Sequence, residues 1–280
     1  MQPQHCDVRM APNRQDGVMS EQPAPYVFDA DEHARIHAAE QLFDEGTKRL
    51  VSALGIGTGA RCLEVGAGGG SIAAWLCKLV GNSGQVVATD IDVRSLEAIQ
   101  GPPSLQVRRH DIVHDPLEVG RFDLVHARLV LEHLPERDAV LTKLTCALRP
   151  GGWIVVEDVD YVSAVPISDL GRAEHEHTQS VRLREFAASG IAHYLGRELP
   201  ARLRANGLVD VGNEGRVWVM EGGSPGARWF RLSMAHLRAR LVGPDKLTDA
   251  EVDRMVELFD DPNWAAFSPI MVTAWGRLPL

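Results

Sequence analysis

The sequence predicts an α/β protein built on a doubly wound, largely parallel sheet. Two observations predict it. Between residues 61 and 157, short runs of Val, Ile and Leu alternate with amphipathic helical stretches. A glycine cluster, Gly66-Ala67-Gly68-Gly69-Gly70, follows the first of those runs. Strands that are apolar throughout need cover on both faces, and helical crossovers supply it. With 280 residues, 45% of them hydrophobic, the chain is long enough to bury a core without covalent staples.

Residues 1–25, rich in proline and polar side chains, read as a mobile tail. From residue 32 to 54, Ile36, Ala39, Leu42, Phe43, Leu50, Val51 and Leu54 recur at helical spacing, and Gly46-Thr47 predicts a break into two helices. A strand over 61–65 precedes the glycine cluster, and a helix over 71–80 stops at Gly81-Asn82. A strand over 85–89 ends in Asp90, a helix covers 93–99, and a strand over 105–109 leads to Asp111. The fourth strand covers 122–126; a helix over 138–148 closes at Arg149-Pro150-Gly151-Gly152, before a fifth strand over 153–157. Beyond Tyr161, residues 166–194, 196–206, 225–241 and 248–260 read as helices, and 209–219 and 268–275 as strands. These last strands are expected to join the sheet, with the helices between them forming a lid. The expected division is a tail (1–25), an N-terminal helical lid (26–60), a ligand-binding core (61–165), and lid helices with the last two strands (166–280).

Twenty-nine basic residues stand against 38 acidic ones, a net charge of −9. That balance disfavours nucleic acid and anionic membranes as partners, because both attract basic surfaces. Cys6, Cys62, Cys77 and Cys146 show neither CxxC pairing nor metal-ligand spacing. With no basic start and apolar leader, and no apolar run near 20 residues, the expected setting is the reducing cytoplasm. A projecting N-terminal helix offers a route to a homo-oligomer.

In open doubly wound sheets ligands sit beyond the carboxyl ends of the strands. Gly66 and Gly68 permit positive φ and close approach of a ligand to backbone. The dinucleotide pattern GxGxxG asks for Gly or Ala at 71, where this chain has Ser71. Glu64, two residues before the loop, would repel a diphosphate and suit a cation. Asp90 and Asp111 put carboxylates at the next two strand tips; Asp90 is placed to accept from ribose hydroxyls and Asp111 from an adenine amino group.

Residues 64–70, Asp90 with Ile91 beside it, Asp111-Ile112, Phe122-Asp123-Leu124-Val125 and Leu148-Arg149-Pro150-Gly151-Gly152 together resemble the class I methyltransferases that use S-adenosylmethionine. The likeness is strong over about 60–160 and loose elsewhere. It implies a Rossmann-like seven-stranded sheet of order 3-2-1-4-5-7-6 with the seventh strand antiparallel. It also implies that Ala127 and Arg128 lie beside the cofactor. Tyr26-Val27-Phe28 with Glu32 and Arg35-Ile36 is similar to a lid of actinobacterial-type small-molecule methyltransferases. There a tyrosine and an arginine close over the methionine end, which would pair Arg35 with its carboxylate.

Such an enzyme receives an activated electrophile and must exclude water, align the acceptor and remove a proton. His133 is the expected base and Glu157 the second candidate, each at a strand end; His126 is expected to be a buried, satisfied imidazole. His175-Glu176-His177 reads as a solvated helix face, since residues two apart on a helix point apart, and no metal is expected. Tyr194 and Trp229 are expected to line a pocket for a medium-sized organic acceptor. The reading is O-methylation of a small molecule in secondary metabolism. The alternatives are C- or N-methylation of an isoprenoid- or indole-derived compound, a nicotinamide-dependent oxidoreductase, and a non-catalytic binding module.

Overall fold

A computed structural model describes residues 30–97, 99 and 101–280; the tail and Tyr26 lie outside the described residues. The strands are β1 (Arg61–Val65), β2 (Gln85–Asp90), β3 (Leu105–Arg109), β4 (Phe122–Arg128), β5 (Leu148–Asp160), β6 (Val209–Arg216), β7 (Val219–Glu221), β8 (Ala265–Phe267) and β9 (Ile270–Arg277). Seven of them form one sheet of order β3-β2-β1-β4-β5-β9-β6. β1 to β5 pair in parallel, and β9 runs antiparallel to both its neighbours. With β9 as the seventh strand of this sheet, this is the expected order.

The helices are α1 (Ala30–Ala53), α2 (Ser71–Val80), α3 (Arg94–Glu97), α4 (Arg137–Ala147), α5 (Arg172–Ala188), α6 (Leu195–Ala205), α7 (Pro225–Leu241) and α8 (Asp249–Asp260). Because side chains alternate along a strand, the central strands feed two cores. Cys62, Leu124 and Val155 pack with Leu50 and Val51 of α1 and Leu76 and Val80 of α2. Leu63, Val125, Ala127 and Val156 pack with Leu141 and Leu144 of α4 and Leu199 and Leu203 of α6. A third core joins Phe43 of α1 and Tyr161 to α5, α7 and α8 through Phe230, Met255, Phe259 and Trp264. No described helix is long and apolar enough to cross a membrane.

Three elements depart from expectation. First, α1 is one continuous helix, without the break predicted at Gly46-Thr47. A Cβ on Gly46 would fall 0.8 Å from an Arg216 guanidinium nitrogen, so the glycine makes room for that side chain. Thr47 bonds its hydroxyl to the Phe43 carbonyl one turn back and to Glu157. Second, the run 209–219 is divided. Trp218 and Ser268 clasp each other, N–H to carbonyl at 2.8 Å and N–H to hydroxyl at 3.0 Å, and beyond them β7 pairs with β8 in a separate two-stranded sheet. Third, the helix predicted over 93–99 is the single turn α3; Gly101 and two prolines follow closely.

Replacing a mid-helix glycine by alanine ordinarily gains about 1 kcal/mol of helix propensity. Here the added methyl meets a guanidinium held by Glu157 and Thr273. Gly46→Ala should therefore lower the stability measured by urea unfolding by about 1–3 kcal/mol. A gain would show that Arg216 swings aside freely.

Candidate active site

The carboxyl ends of β1 to β4 open into a cavity of about 350 Å³, bounded also by α1, α5 and α7. Gly66 (φ 65°) and Gly68 (φ 55°) turn the chain where an L side chain would be strained. A Cβ on Gly66 would also sit 2.3 Å from Val130. The Gly68 N–H donates to Asp90 Oδ2 at 2.9 Å, which ties the loop to the tip of β2. At the start of α2, Ser71 donates its N–H to Glu40 Oε1 (3.2 Å) and its hydroxyl to Asp44 Oδ1 (3.1 Å). Two carboxylates of α1 thus occupy the helix N-terminus, the place where a phosphate would otherwise rest.

Of the residues selected from sequence, Arg35, Glu64, Gly66, Gly68, Asp90, Ile91, Asp111, Ile112, Arg128 and His133 line this cavity. Burial raises the pKa of Asp90, against the pull of the Gly68 and Asp92 N–H groups. Asp111 accepts from Val113 N (2.9 Å) and faces His114 Nδ1 at 2.8 Å. Lys143 grips the carbonyls of Ile112 and Val113 at 2.7 and 2.9 Å, which fixes that loop. Arg35 makes a two-pronged pair with Glu32 (2.8 and 2.5 Å), and His236 Nδ1 stands 3.4 Å from the same carboxylate. Arg128 turns to α1, donating to Thr47 Oγ1 (3.0 Å) and Asp44 Oδ1 (2.9 Å).

Ala127 and Glu157 are absent from the lining. Ala127 points into the α4–α6 core, one residue out of phase with Arg128. Glu157 lies wholly buried in a row of charges under α1. His126 Nδ1 faces Glu64 Oε2 at 2.6 Å, and its Nε2 faces Glu157 Oε2 at 3.1 Å. Arg216 Nη2 (2.6 Å) and Thr273 Oγ1 (2.5 Å) donate to Glu157 Oε1, and Thr47 donates to Oε2. Burial alone would lower the pKa of His126; the two carboxylates raise it to about 9. Burial alone would raise Glu157; His126, Arg128 and Arg216 bring it to about 2. A carboxylate so paired, wholly buried and off the cavity wall has no access to a substrate proton, unlike His133, which lines the cavity; this corrects the second candidate. The same row shows that the charge of Glu64 is answered by His126, not left open to a ligand.

A further acid on the cavity wall is Glu132, which sequence reasoning passed over in favour of its neighbour. It is buried on a 3₁₀ turn after β4, accepting from the Tyr161 hydroxyl at 3.2 Å, with His133 Nε2 at 3.4 Å. Burial raises the Glu132 carboxyl, and Asp158, whose Oδ1 accepts from Glu132 N, is raised by burial and by Glu132. His133 moves the other way: burial and the charges of Arg35, Arg240 and His236 lower its pKa, so the imidazole is neutral at pH 7. Trp229 lines the cavity and Tyr194 does not; the latter is exposed beside His193 at the start of α6. His175 also departs from expectation: it is buried against Trp264 (5.9 Å), whereas His177 is exposed. Arg182 was missed although the sequence marks it. On α5 it falls four residues from both Thr178 and Phe186, on the buried stripe.

A sheet of this order, whose first strand runs into a glycine turn while one acid ends its second strand and another closely follows its third, defines the class I methyltransferase architecture. The comparisons agree. A family model described as a methyltransferase domain matches residues 34–212, and the chain belongs to that family, the class I S-adenosylmethionine-dependent methyltransferases. Methyltransferase str2 of Strobilurus tenacellus is 32% identical over 186 residues, 65% of this chain and 66% of that protein. A ubiquinone biosynthesis O-methyltransferase of Albidiferax ferrireducens is 26% identical over 148 residues, 46% of this chain and 57% of its own. The chain therefore spans somewhat under two thirds of these relatives. Phosphoethanolamine N-methyltransferase 2 of Haemonchus contortus, solved with S-adenosylhomocysteine, superposes with TM-score 0.55 at 16% identity, covering 88% of this chain and 57% of its own.

The charged row predicts a pH dependence of stability. His126 is raised above its ordinary 6.5, so its contribution is complete below about pH 6.5 and is lost as pH rises through about 9. Glu157 is lowered from 4.5, so its contribution holds above about pH 4.5 and is lost as pH falls through about 2. The row's contribution to the unfolding free energy should plateau between these limits and then fall by up to about 3 kcal/mol on the alkaline side. In His126→Gln that alkaline slope should vanish; an unchanged slope would place its origin elsewhere.

Proposed function

We propose that this chain transfers the methyl group of S-adenosylmethionine to a small organic acceptor, on oxygen, in secondary metabolism. One observation carries the reading. The cavity is edged by Asp90 and Asp111 at the second and third strand tips, while the phosphate position at the start of α2 is filled by the chain's own Glu40 and Asp44. That arrangement suits a cationic nucleoside without phosphates and disfavours a dinucleotide. In this reading Asp90 accepts from the ribose hydroxyls, Ile91 and Ile112 flank the adenine, Asp111 takes its amino group, and Arg35 exchanges Glu32 for the donor's carboxylate. Similarity to an O-methyltransferase of ubiquinone biosynthesis supports oxygen as the acceptor atom. The likeness of the N-terminal stretch to small-molecule methyltransferases supports the metabolic setting.

When bound, the donor supplies an activated methyl group. The chain supplies the rest. Trp229, Phe230 and Phe186 exclude water and hold the acceptor in line, and orientation of this kind is worth about 7–11 kcal/mol of the barrier. His133, neutral and on the cavity wall, takes the hydroxyl proton, with Glu132 Oε1 standing 3.4 Å from its Nε2.

S-adenosylhomocysteine at 100-fold excess over its Kd should add about 2.7 kcal/mol of stability, visible as a higher Tm, and NADH none. The reverse result would overturn the cofactor assignment. Asp90→Ala should weaken S-adenosylhomocysteine binding at least about tenfold, the loss of one or two hydrogen bonds to a charged acceptor. On any acceptor that is turned over, His133→Ala should lower kcat about 10²-fold, at the low end of general-base effects, with S-adenosylhomocysteine affinity nearly unchanged. Equal turnover would remove His133 as the base.

A further inference from the structure

The half of the cavity away from the strand tips has the opposite electrostatic character. Its walls are the rings of Tyr161, Phe186, Trp229 and Phe230, each more than nine-tenths buried. Arg182 of α5 lines the same space at 5% exposure. Its guanidinium carbon lies 5.5 Å from the centre of the Tyr161 ring and 5.1 Å from that of Phe230. One nitrogen, Nη2, donates to Gln179 Oε1, while Nε is buried without a hydrogen-bond partner. Among the described residues no carboxylate stands within ion-pairing distance of it. A guanidinium carries five N–H donors, and a buried cation without a counter-ion is expensive. Ring faces offset part of that cost, but they leave donors unused.

The surroundings do not supply the missing anion. Arg240 and His236, two more basic groups, line the same cavity. Glu32, the nearby carboxylate of α1, is already held by Arg35 and His236. Glu132 is buried and bonded to Tyr161, and burial favours its neutral form. The Tyr161 side chain has Arg182 over its ring and Glu132, with His133 beyond, at its hydroxyl. The Tyr161 ring and the Glu132 carboxyl therefore stand between the unanswered cation and the neutral imidazole.

Resting on the methyl-transfer reading, we propose that the acceptor is a flat hydroxylated aromatic acid whose carboxylate is bound by Arg182 and whose hydroxyl is directed to His133. Transfer forms the oxygen–carbon bond and breaks the carbon–sulfur bond. The electron pair of the broken bond returns to sulfur, and the hydroxyl proton passes to the imidazole. The carboxylate itself is a handle and is not altered.

The test uses the full chain saturated with S-adenosylhomocysteine, titrated calorimetrically with 4-hydroxycinnamate and with its neutral amide. Wild type should bind the acid at least about tenfold more tightly than the amide, as expected when a charge-assisted hydrogen-bonded pair is lost. In Arg182→Gln the preference should shrink to within about twofold while S-adenosylhomocysteine affinity is retained, which also shows that the variant folds. Should that variant fail to bind S-adenosylhomocysteine, Arg182→Lys decides: it keeps the charge but loses the planar fork, and the preference should fall at least about threefold. Equal binding of acid and amide by wild type, a preference that survives in the variants, or no binding of the acid would each overturn the proposal. If wild type fails to bind S-adenosylhomocysteine at all, it is the methyl-transfer reading that fails.

Discussion

The row Glu64–His126–Glu157–Arg216, running sideways across β1, β4, β5 and β6 under α1, is the interaction on which the architecture turns. Three buried charges and the half-buried Arg216 alternate in sign and sum to zero, and Glu157 and the imidazole spend both ends of their side chains on neighbours. Removing one member would leave its partner buried and uncompensated, a far larger loss than the net worth of the pair. The row fixes the lateral register of strands from both halves of the sheet. Through Thr47, and through the Arg128–Asp44 pair beside it, it fixes where α1 lies. Because α1 lies there, Glu40 and Asp44 reach the start of α2 and the glycine turn gains its cover.

The cavity that results has two poles. At the strand tips stand Asp90 and Asp111; at the aromatic end stands Arg182. His133 stands between them, its imidazole kept neutral by burial and by the cations on its far side. A donor carrying a positive sulfur and an acceptor carrying a negative handle would each find its own pole. The charge pattern would then align the reactants before any side chain takes part in chemistry.

Much of this was legible in the sequence, and the reasons differ between elements. The parallel strands announce themselves because short apolar runs alternate with helical stretches, and Asp90 and Asp111 stand out as acids at or just beyond the ends of two of them. Glu157 misled for the same reason. An acid at a strand end is equally the mark of a ligand contact and of a buried ion pair, and its partners Thr47, Arg216 and Thr273 are remote in sequence. Gly46 misled because helix propensity is local, whereas the demand for a missing side chain came from Arg216, 170 positions on. Glu132 carries no local pattern that separates it from a surface acid. Arg182 does, sitting in phase with Thr178, Val181 and Phe186, and a charged residue on a buried stripe is a signal worth reading.

The continuity of α1 has a mechanical meaning. Its first half, from Glu32 to Glu40, overhangs the cavity, and its second half, from Asp44 to Val51, is bolted to the sheet. A glycine at the junction suggests a hinge, yet Arg216 fills the space beside it and stiffens the rod at its weakest point. The overhang therefore moves with its anchorage or not at all, so traffic into the cavity is governed by the seating of the helix on the sheet and by the opposing α5–α7 wall, not by flexing of the beam.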